Sequence, residues 1–514
     1  MKLTGFLFAA ALLGTCTQPA AEENYTRHVD PKIGTGGHGH VFVGANVPFG
    51  LVQVGPTSIP QTWDWCSGYH ASDSTVIGFS HTHLSGTGIG DLFDVTVMPV
   101  TGEVTYARGT EDDPTSGLWS YADRTQEIAR PGYYSVPLTR YGIRAELTAT
   151  ARVGLHRYTF PASDAAAVVF DLENGGCWDK ATETHLAKEG DRTVTGWRHS
   201  TGWAKDQRVY FVAEFSKPFE KFETIGDNYA RASFRTTDGE QVSLKVALSP
   251  VSVEGARENL AAELPGWDFE ETAKAADKAW NDELSKVKIT TADETARRIF
   301  YTALYHTMIA PSLFCDVNGD YYGSDHAIHR NADFTNYTTF SLWDTYRAAM
   351  PLMTVLHPEK MADIVQTMLT ISDEQGRLPV WHLWGNETDC MVGNPGIVAV
   401  ADAIVKGIGG FDREKAFEAI RKTAMNPDRG NGLRMEYGYI PCEMFNEAVA
   451  YDMEYALADG AAARAAETLG KAEDAKYFEE RSHSYRNYFD PATRFMRGRD
   501  SRKGWRTPFN AFAS

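Results

Sequence analysis

Beyond Leu13 the sequence has no apolar run long enough to cross a bilayer, which excludes an integral helical membrane protein. It also has no surplus of basic residues. The formal net charge of -18 excludes a nucleic-acid partner, because neutralising phosphates requires an excess of Lys and Arg. No C-x-x-C pair occurs among the cysteines, so a zinc ribbon or a thioredoxin-like redox site is excluded. No repeat recurs at a fixed period, which disfavours a solenoid, and there is no low-complexity tract. Apolar residues make up 43% and charged residues 23%, the balance of a folded globular chain rather than a disordered one. At 514 residues the chain exceeds what one core usually supports, so at least two domains are expected.

The amino terminus reads as a targeting segment. Lys2 supplies the positive end, and residues 3–13 form a short apolar stretch. Leu13-Gly14-Thr15-Cys16 has the form of a lipoprotein cleavage box, so residues 1–16 are expected to be a signal peptide with Cys16 as an acylated first residue. That predicts a secreted protein, periplasmic or a lipoprotein of a Gram-negative outer membrane, with a possible lipid anchor. Cys66, Cys177, Cys315, Cys390 and Cys442 remain. Export permits disulfides, and the odd number leaves at least one thiol free.

The first half alternates apolar and polar residues over short runs: residues 132–160, with a break at Tyr141-Gly142, then 167–172, 208–215 and 242–253. Short strands bounded by Gly, Asp and Pro predict an antiparallel sandwich over residues 24–265. The pattern changes near Trp267. Residues 270–286 form a charged amphipathic helix suited to a linker over 266–290. Helical spacing then fills 293–310, 341–356, 359–373, 396–408, 413–425, 443–469 and 472–488. The fold class is therefore a β-sandwich followed by an (α/α)6 toroid over residues 291–514, here incomplete, since about seven helices fall short of the twelve a closed toroid needs.

Three stretches are too polar and glycine-rich to be simple core. One is "VDPKIGTGGHGHVFVGANVPFGLVQVGP", residues 29–56. The second, "WDWCSGYHASDSTVIGFSHTHLSGTGIGD", residues 63–91, sets His70, His81 and His83 among Ser, Thr and Asp. His81 and His83 would share a strand face, but a metal site needs a third convergent ligand, and hydrogen bonds to neighbouring loops or sugar hydroxyls are the better reading. Its "GTGIG" lacks the Lys-Ser/Thr of a phosphate loop. The third comprises "SLWDTYR", residues 341–347, and "LPVWHLWGNETDCMVGNPG", residues 378–396, a loop crowded with Trp, Asn386, Glu387 and Asp389. Read alone, Asp344 is an acidic residue at the positive end of a helix. Aromatic and acidic residues massed in a loop, however, point to a ligand.

These stretches, with "GYIPCE" at 438–443 and "FDPATRFMRGR" at 489–499, resemble glycoside hydrolase family 92 over residues 28–514. The resemblance implies an exo-acting α-mannosidase that inverts the anomeric centre and needs Ca2+, with a sandwich packed on an (α/α)6 barrel and a site at their interface. Its partners would be mannose-containing glycans, N-glycan or mannan oligosaccharides. On that basis Asp344 and Arg347 hold hydroxyls of a terminal mannose, Trp343 gives it an apolar wall, and Asn386 and Glu387 line the pocket. Trp65 or Trp63 reaches the next sugar, which suggests an α-1,2 linkage. Asn394-Pro395 stands where many relatives have Tyr-His.

Inversion needs an acid and a base about 6.5–9.5 Å apart. The resemblance places the acid Glu in a "TEGN"-like motif after a "W…PF" segment and the base Asp in a later "GNDD"-like motif. The sequence reaches Trp505, Pro508 and Phe509 and then Ser514, with neither motif. The expectation is a truncated chain without turnover, whose catalytic carboxylates and metal ligands lie further on. Acid/base work by Glu387 and Asp389 is a minor alternative. Two other readings remain: a non-catalytic glycan-binding surface lipoprotein, and the same scaffold running phosphorolysis or lyase chemistry.

Overall fold

The structure, a computed structural model, describes residues 23–60, 62–113 and 115–512. The targeting segment and Cys16 lie outside the described residues.

Two antiparallel sheets form the first half. The six-stranded sheet runs in the order Gly55–Thr57, Gly78–Ser80, Thr96–Thr101, Ser163–Asp171, Tyr229–Thr236, Lys221–Ile225. The eight-stranded sheet runs Lys180–Glu189, Thr193–Thr201, Gln207–Phe215, Glu240–Ser249, Val153–Phe160, Ile143–Ala149, Tyr133–Leu138, Ile128–Arg130. Val97, Val168 and Phe170 of the first meet Tyr158, Phe211 and Leu244 of the second in one buried cluster, which makes the pair a sandwich. The edge strand Lys180–Glu189, "KATETHLAKE", is charged along its length, which protects an exposed edge from pairing with another chain.

The break expected at Tyr141-Gly142 is a turn, but residues 132–160 turn a second time before Val153 and so make three strands. The strand expected over 242–253 ends at Ser249, and Val253–Glu263 is a helix. Ser252 starts it, accepting a hydrogen bond from the Gly255 N–H at 3.0 Å. Ala256 and Leu260 of this helix pack on Val153, Leu155, Val212 and Ala247. The eight-stranded sheet is therefore covered on both faces, and Leu244 through Ser249 are all buried instead of alternating.

Helix Phe269–Leu284 buries Phe269, Thr272, Ala276, Trp280 and Leu284, one face at three- and four-residue spacing. Trp280 donates its indole N–H to the Asn46 carbonyl at 2.7 Å, pinning this helix to a sandwich loop. Helices Glu294–His306, Leu342–Thr345, Ala349–Leu356, Pro358–Gln375, Pro395–Val405, Arg413–Ala424, Asn431–Tyr437, Ala448–Thr468 and Ala472–Arg481 follow. Asp293 and Asp412 cap two of them through N–H bonds of 2.9–3.1 Å. Met361, Ile364, Val365, Met368, Ile397, Val400, Ile420 and the alanines of Ala448–Thr468 share one core. Eleven α-helices are present among the described residues, and they do not close into a barrel. No helix among the described residues is long and apolar enough to cross a membrane.

The two halves share apolar contacts as well as polar ones. Phe314, Tyr322, Trp381, Leu383 and Trp384, all from the helical half, belong to the sandwich core cluster.

Candidate functional site

Strand Phe340–Ser341 pairs with Trp381–Leu383, which pairs in turn with Asn386–Glu387. Phe340–Ser341 runs directly into helix Leu342–Thr345. This small sheet therefore sets the "SLWDTYR" motif against the 378–396 loop.

The Arg347 guanidinium lies 4.6 Å from the Trp343 ring centroid and 4.7 Å from that of Tyr346. Its Nη2 donates to Glu454 Oε1 at 2.9 Å, and the Tyr346 hydroxyl donates to Oε2 at 2.7 Å. Glu454 comes from helix Ala448–Thr468, so the motif is braced by a helix far along the chain. Burial, with the Glu454 carboxylate, pushes the Tyr346 hydroxyl well up, which keeps it a donor. Asp344 is exposed and accepts one bond, from Ser341 Oγ at 2.6 Å. Burial pushes the Cys390 thiol up, and the Asp344 carboxylate adds to that, placing Asp344 beside the loop.

The loop carboxylates are engaged. Glu387 accepts the backbone N–H groups of Val380, Trp381 and Asp389 at 2.8–2.9 Å. Asp389 pairs with Arg377 and lies 3.5 Å from Arg429. Asn386 is buried, and its amide clasps the Asp206 backbone, accepting from N at 3.0 Å and donating to O at 2.8 Å. Asp206 belongs to the sandwich half. Its carboxylate accepts from the Tyr322 hydroxyl at 2.9 Å and pairs with Arg208 at 2.8 Å. Burial raises its pKa, but Arg208 and Tyr322 outweigh that and hold it below the usual carboxylate range. Trp203 meets Trp381 edge to face at 4.7 Å across the same seam.

On the sandwich side Asp64 sits between His38 and His40, 2.6 and 3.5 Å away. Trp63 lies edge-on to His40 at 4.2 Å and donates to the Gly88 carbonyl at 2.8 Å. Trp65 stacks on His70 at 4.4 Å and donates to Asp73 at 2.7 Å. The structure thus groups Trp343, Asp344, Arg347, Asn386 and Glu387 around one small sheet. The hydrogen bonds and ring contacts of Trp63 and Trp65 stay within the sandwich loops. Asp91, at the end of the 63–91 stretch, accepts the Trp203 and Ala204 N–H groups at 2.9 Å, and Trp203 packs on Trp381 of the small sheet.

His81 and His83 follow strand Gly78–Ser80 rather than sharing its face. Burial drives both pKa values down, to about 3 and about 4, and His81 bonds His156 at 2.9 Å. These are neutral core histidines. All five described cysteines are free thiols. The calcium implied above needs a cage of oxygen donors. Among the described residues the one convergent donor set is Asp325, His329 and Glu374, within 4.8 Å of one another. It contains an imidazole and lies outside the Asp344 group, so the residues at the site do not by themselves form such a cage.

Residues 255–514 match the glycosyl hydrolase family 92 catalytic domain, and residues 28–249 match its N-terminal domain. The chain belongs to glycosyl hydrolase family 92. A family 92 α-mannosidase of Bacteroides thetaiotaomicron, solved with mannoimidazole, is 40% identical with a TM-score of 0.92 and covers 95% of this chain and 67% of its own. A family 92 inverting mannosidase of the same organism is 28% identical with a TM-score of 0.86, over 96% of this chain and 69% of its own. A protein of Arthroderma benhamiae described as an uncharacterized secreted glycosidase is 26% identical over 93% of this chain. The chain spans 64% of the length of that curated relative.

Family 92 membership accounts for the order of sandwich and helices. The sequence reading missed Asp206, Tyr322, Trp203 and Glu454, which frame the site. The one local signal was "YYGSD" at 321–325, an aromatic and acidic loop like the two singled out. Asp206 and Glu454 carry none, because their partners are distant in the sequence.

Proposed function

We propose that this protein is an inverting exo-α-mannosidase acting on terminal mannose of N-glycan or mannan oligosaccharides, with preference for α-1,2 linkages. The observation that carries the reading is the exposed Asp344 carboxylate beside the stacked Arg347 and Trp343, next to the small sheet whose Asn386 and Trp381 meet the sandwich half. A carboxylate and a guanidinium can each grip paired sugar hydroxyls, and an indole face suits the apolar face of the ring. Relatives solved as an α-mannosidase with mannoimidazole and as an inverting mannosidase support the same chemistry.

In this reading Asp344, Arg347 and Trp343 hold the sugar, and Asn386 and Glu387 fix the loop that lines the pocket beside them. The acid and base are carboxylates other than Glu387 and Asp389, whose oxygens are occupied by backbone amides and arginines. Calcium assistance is part of the proposal on family likeness alone. Export, with anchoring through Cys16, belongs to the same proposal.

The test is incubation of the protein, in a form that supplies the acid and base, with α-1,2-linked mannobiose, followed by proton NMR. Mannose should appear first as the inverted, β anomer, and a chelator should slow its release. First appearance of the α anomer would sink the inverting reading. The engaged state of Glu387 and Asp389 also favours a second reading, a mannoside-binding protein without hydrolysis. Calorimetric binding of mannobiose with no mannose released would select it.

A further inference from the structure

The "GTGIG" segment has no phosphate-loop role, yet its glycines are needed. A Cβ at Gly88 would run into the Trp63 indole, and one at Gly90 would meet Cys177 Cβ at 2.8 Å and Trp178 Cδ2 at 3.0 Å. The backbone of this segment is thus sandwiched between two tryptophans. Trp63 and Trp178 are 48% and 39% exposed, although large aromatic side chains are usually buried. Cys177 Sγ reaches the Thr62 carbonyl at 3.6 Å, which ties the Trp178 loop to the Trp63 loop.

Trp178 stands in a groove of about 710 Å³ on the sandwich, lined also by Arg108, Asn174, Lys180, Glu183 and Asn228. No ring or cation stacks on its indole among the described residues. Its backbone N–H donates to the Gly90 carbonyl at 3.3 Å, and Gly90 lies close against the indole, so the ring is held on the "GTGIG" segment. The adjoining Asp91 anchors Trp203, which packs on Trp381 of the candidate site. The groove therefore adjoins the loop that carries Trp63.

We infer that this groove is a distal subsite for a neutral pyranose of the glycan chain, with Trp178 as its stacking platform; the inference rests on the mannosidase reading above. An exposed, positioned indole offers an apolar face to a sugar ring, while Asn174, Glu183 and Asn228 supply acceptors and donors for hydroxyls. Glu173, Asp179, Glu183 and Asp227 outnumber Arg108 and Lys180 around it, so an anionic ligand would be repelled.

The test is calorimetric titration of the chain with methyl α-mannoside and with oligomannosides of increasing length. Wild type should bind longer chains more tightly. Trp178→Ala should weaken the longest oligomannoside about ten-fold and leave methyl α-mannoside unchanged. Trp343→Ala should weaken both. A length-dependent gain that survives Trp178→Ala overturns the subsite while the mannosidase reading stands. Failure of wild type to bind any mannoside removes both. A milder variant, Gly90→Ala, displaces the indole without deleting it and should give the same length-selective loss.

Discussion

At the residue scale, two carboxylates that look alike in the sequence do different things. Asp344 is exposed and takes one hydroxyl bond, so its charge is available to a ligand. Glu387 gives its oxygens to three backbone N–H groups and holds its loop closed. Asp344→Asn is expected to weaken mannoside binding about ten-fold while leaving the melting temperature in place, since an exposed charge contributes little to stability. Glu387→Gln is expected to lower stability by about 1–3 kcal/mol, because a neutral amide cannot accept three N–H bonds as a carboxylate does. Calorimetric binding and thermal melts of the two variants separate these roles. A melting temperature lowered by Asp344→Asn, or left untouched by Glu387→Gln, would reverse the assignment.

At the scale of elements, a buried acid joins helix Val253–Glu263 to the sandwich. Asp316 accepts from Ser249 Oγ and Asn259 Nδ2, both at 2.8 Å, and burial raises its pKa to about 6. A carboxyl whose folded pKa lies above its unfolded value favours the folded state most at low pH. That contribution is lost as pH rises from about 4 through about 6, on the order of 3 kcal/mol in all. Asp316→Asn removes the buried charge and keeps the shape. It should therefore be more stable than wild type above pH 6 and show no advantage near pH 4, as followed by denaturant unfolding at each pH. An advantage that does not grow with pH would contradict this.

For the molecule as a whole, the seam between the halves is where the candidate site stands or falls. Asn386 reaches the backbone of Asp206 across 180 positions of sequence, and Trp203 packs on Trp381 beside it. Asn386→Ala leaves buried backbone groups unpaired and should cost about 2–3 kcal/mol. Mannoside affinity should fall as well, although Asn386 has no free polar atom to offer a sugar, because the loop beside Asp344 loses its footing. Unchanged affinity with lowered stability would show that the seam does not position the site.

Much of this was legible in the sequence. Strand and helix reveal themselves by spacing, so the order of sandwich and helices and most helices after residue 290 were readable. The motifs at 63–91 and 341–347 sufficed for the family. Where burial covers both faces of an element, period stops reporting, which is why the strand ending at Ser249 was read on into helix Val253–Glu263. The sequence by itself determined the kinds of element, their order and the residue types gathered for a sugar. Only the tertiary structure decided that Asp344 is free and Glu387 is not, that Asn386 clasps Asp206, and that glycines 88 and 90 make room for two indoles. The physical reason is that periodicity is written in neighbours along the chain, whereas the allocation of hydrogen bonds and of space is made between residues that meet only once it has folded.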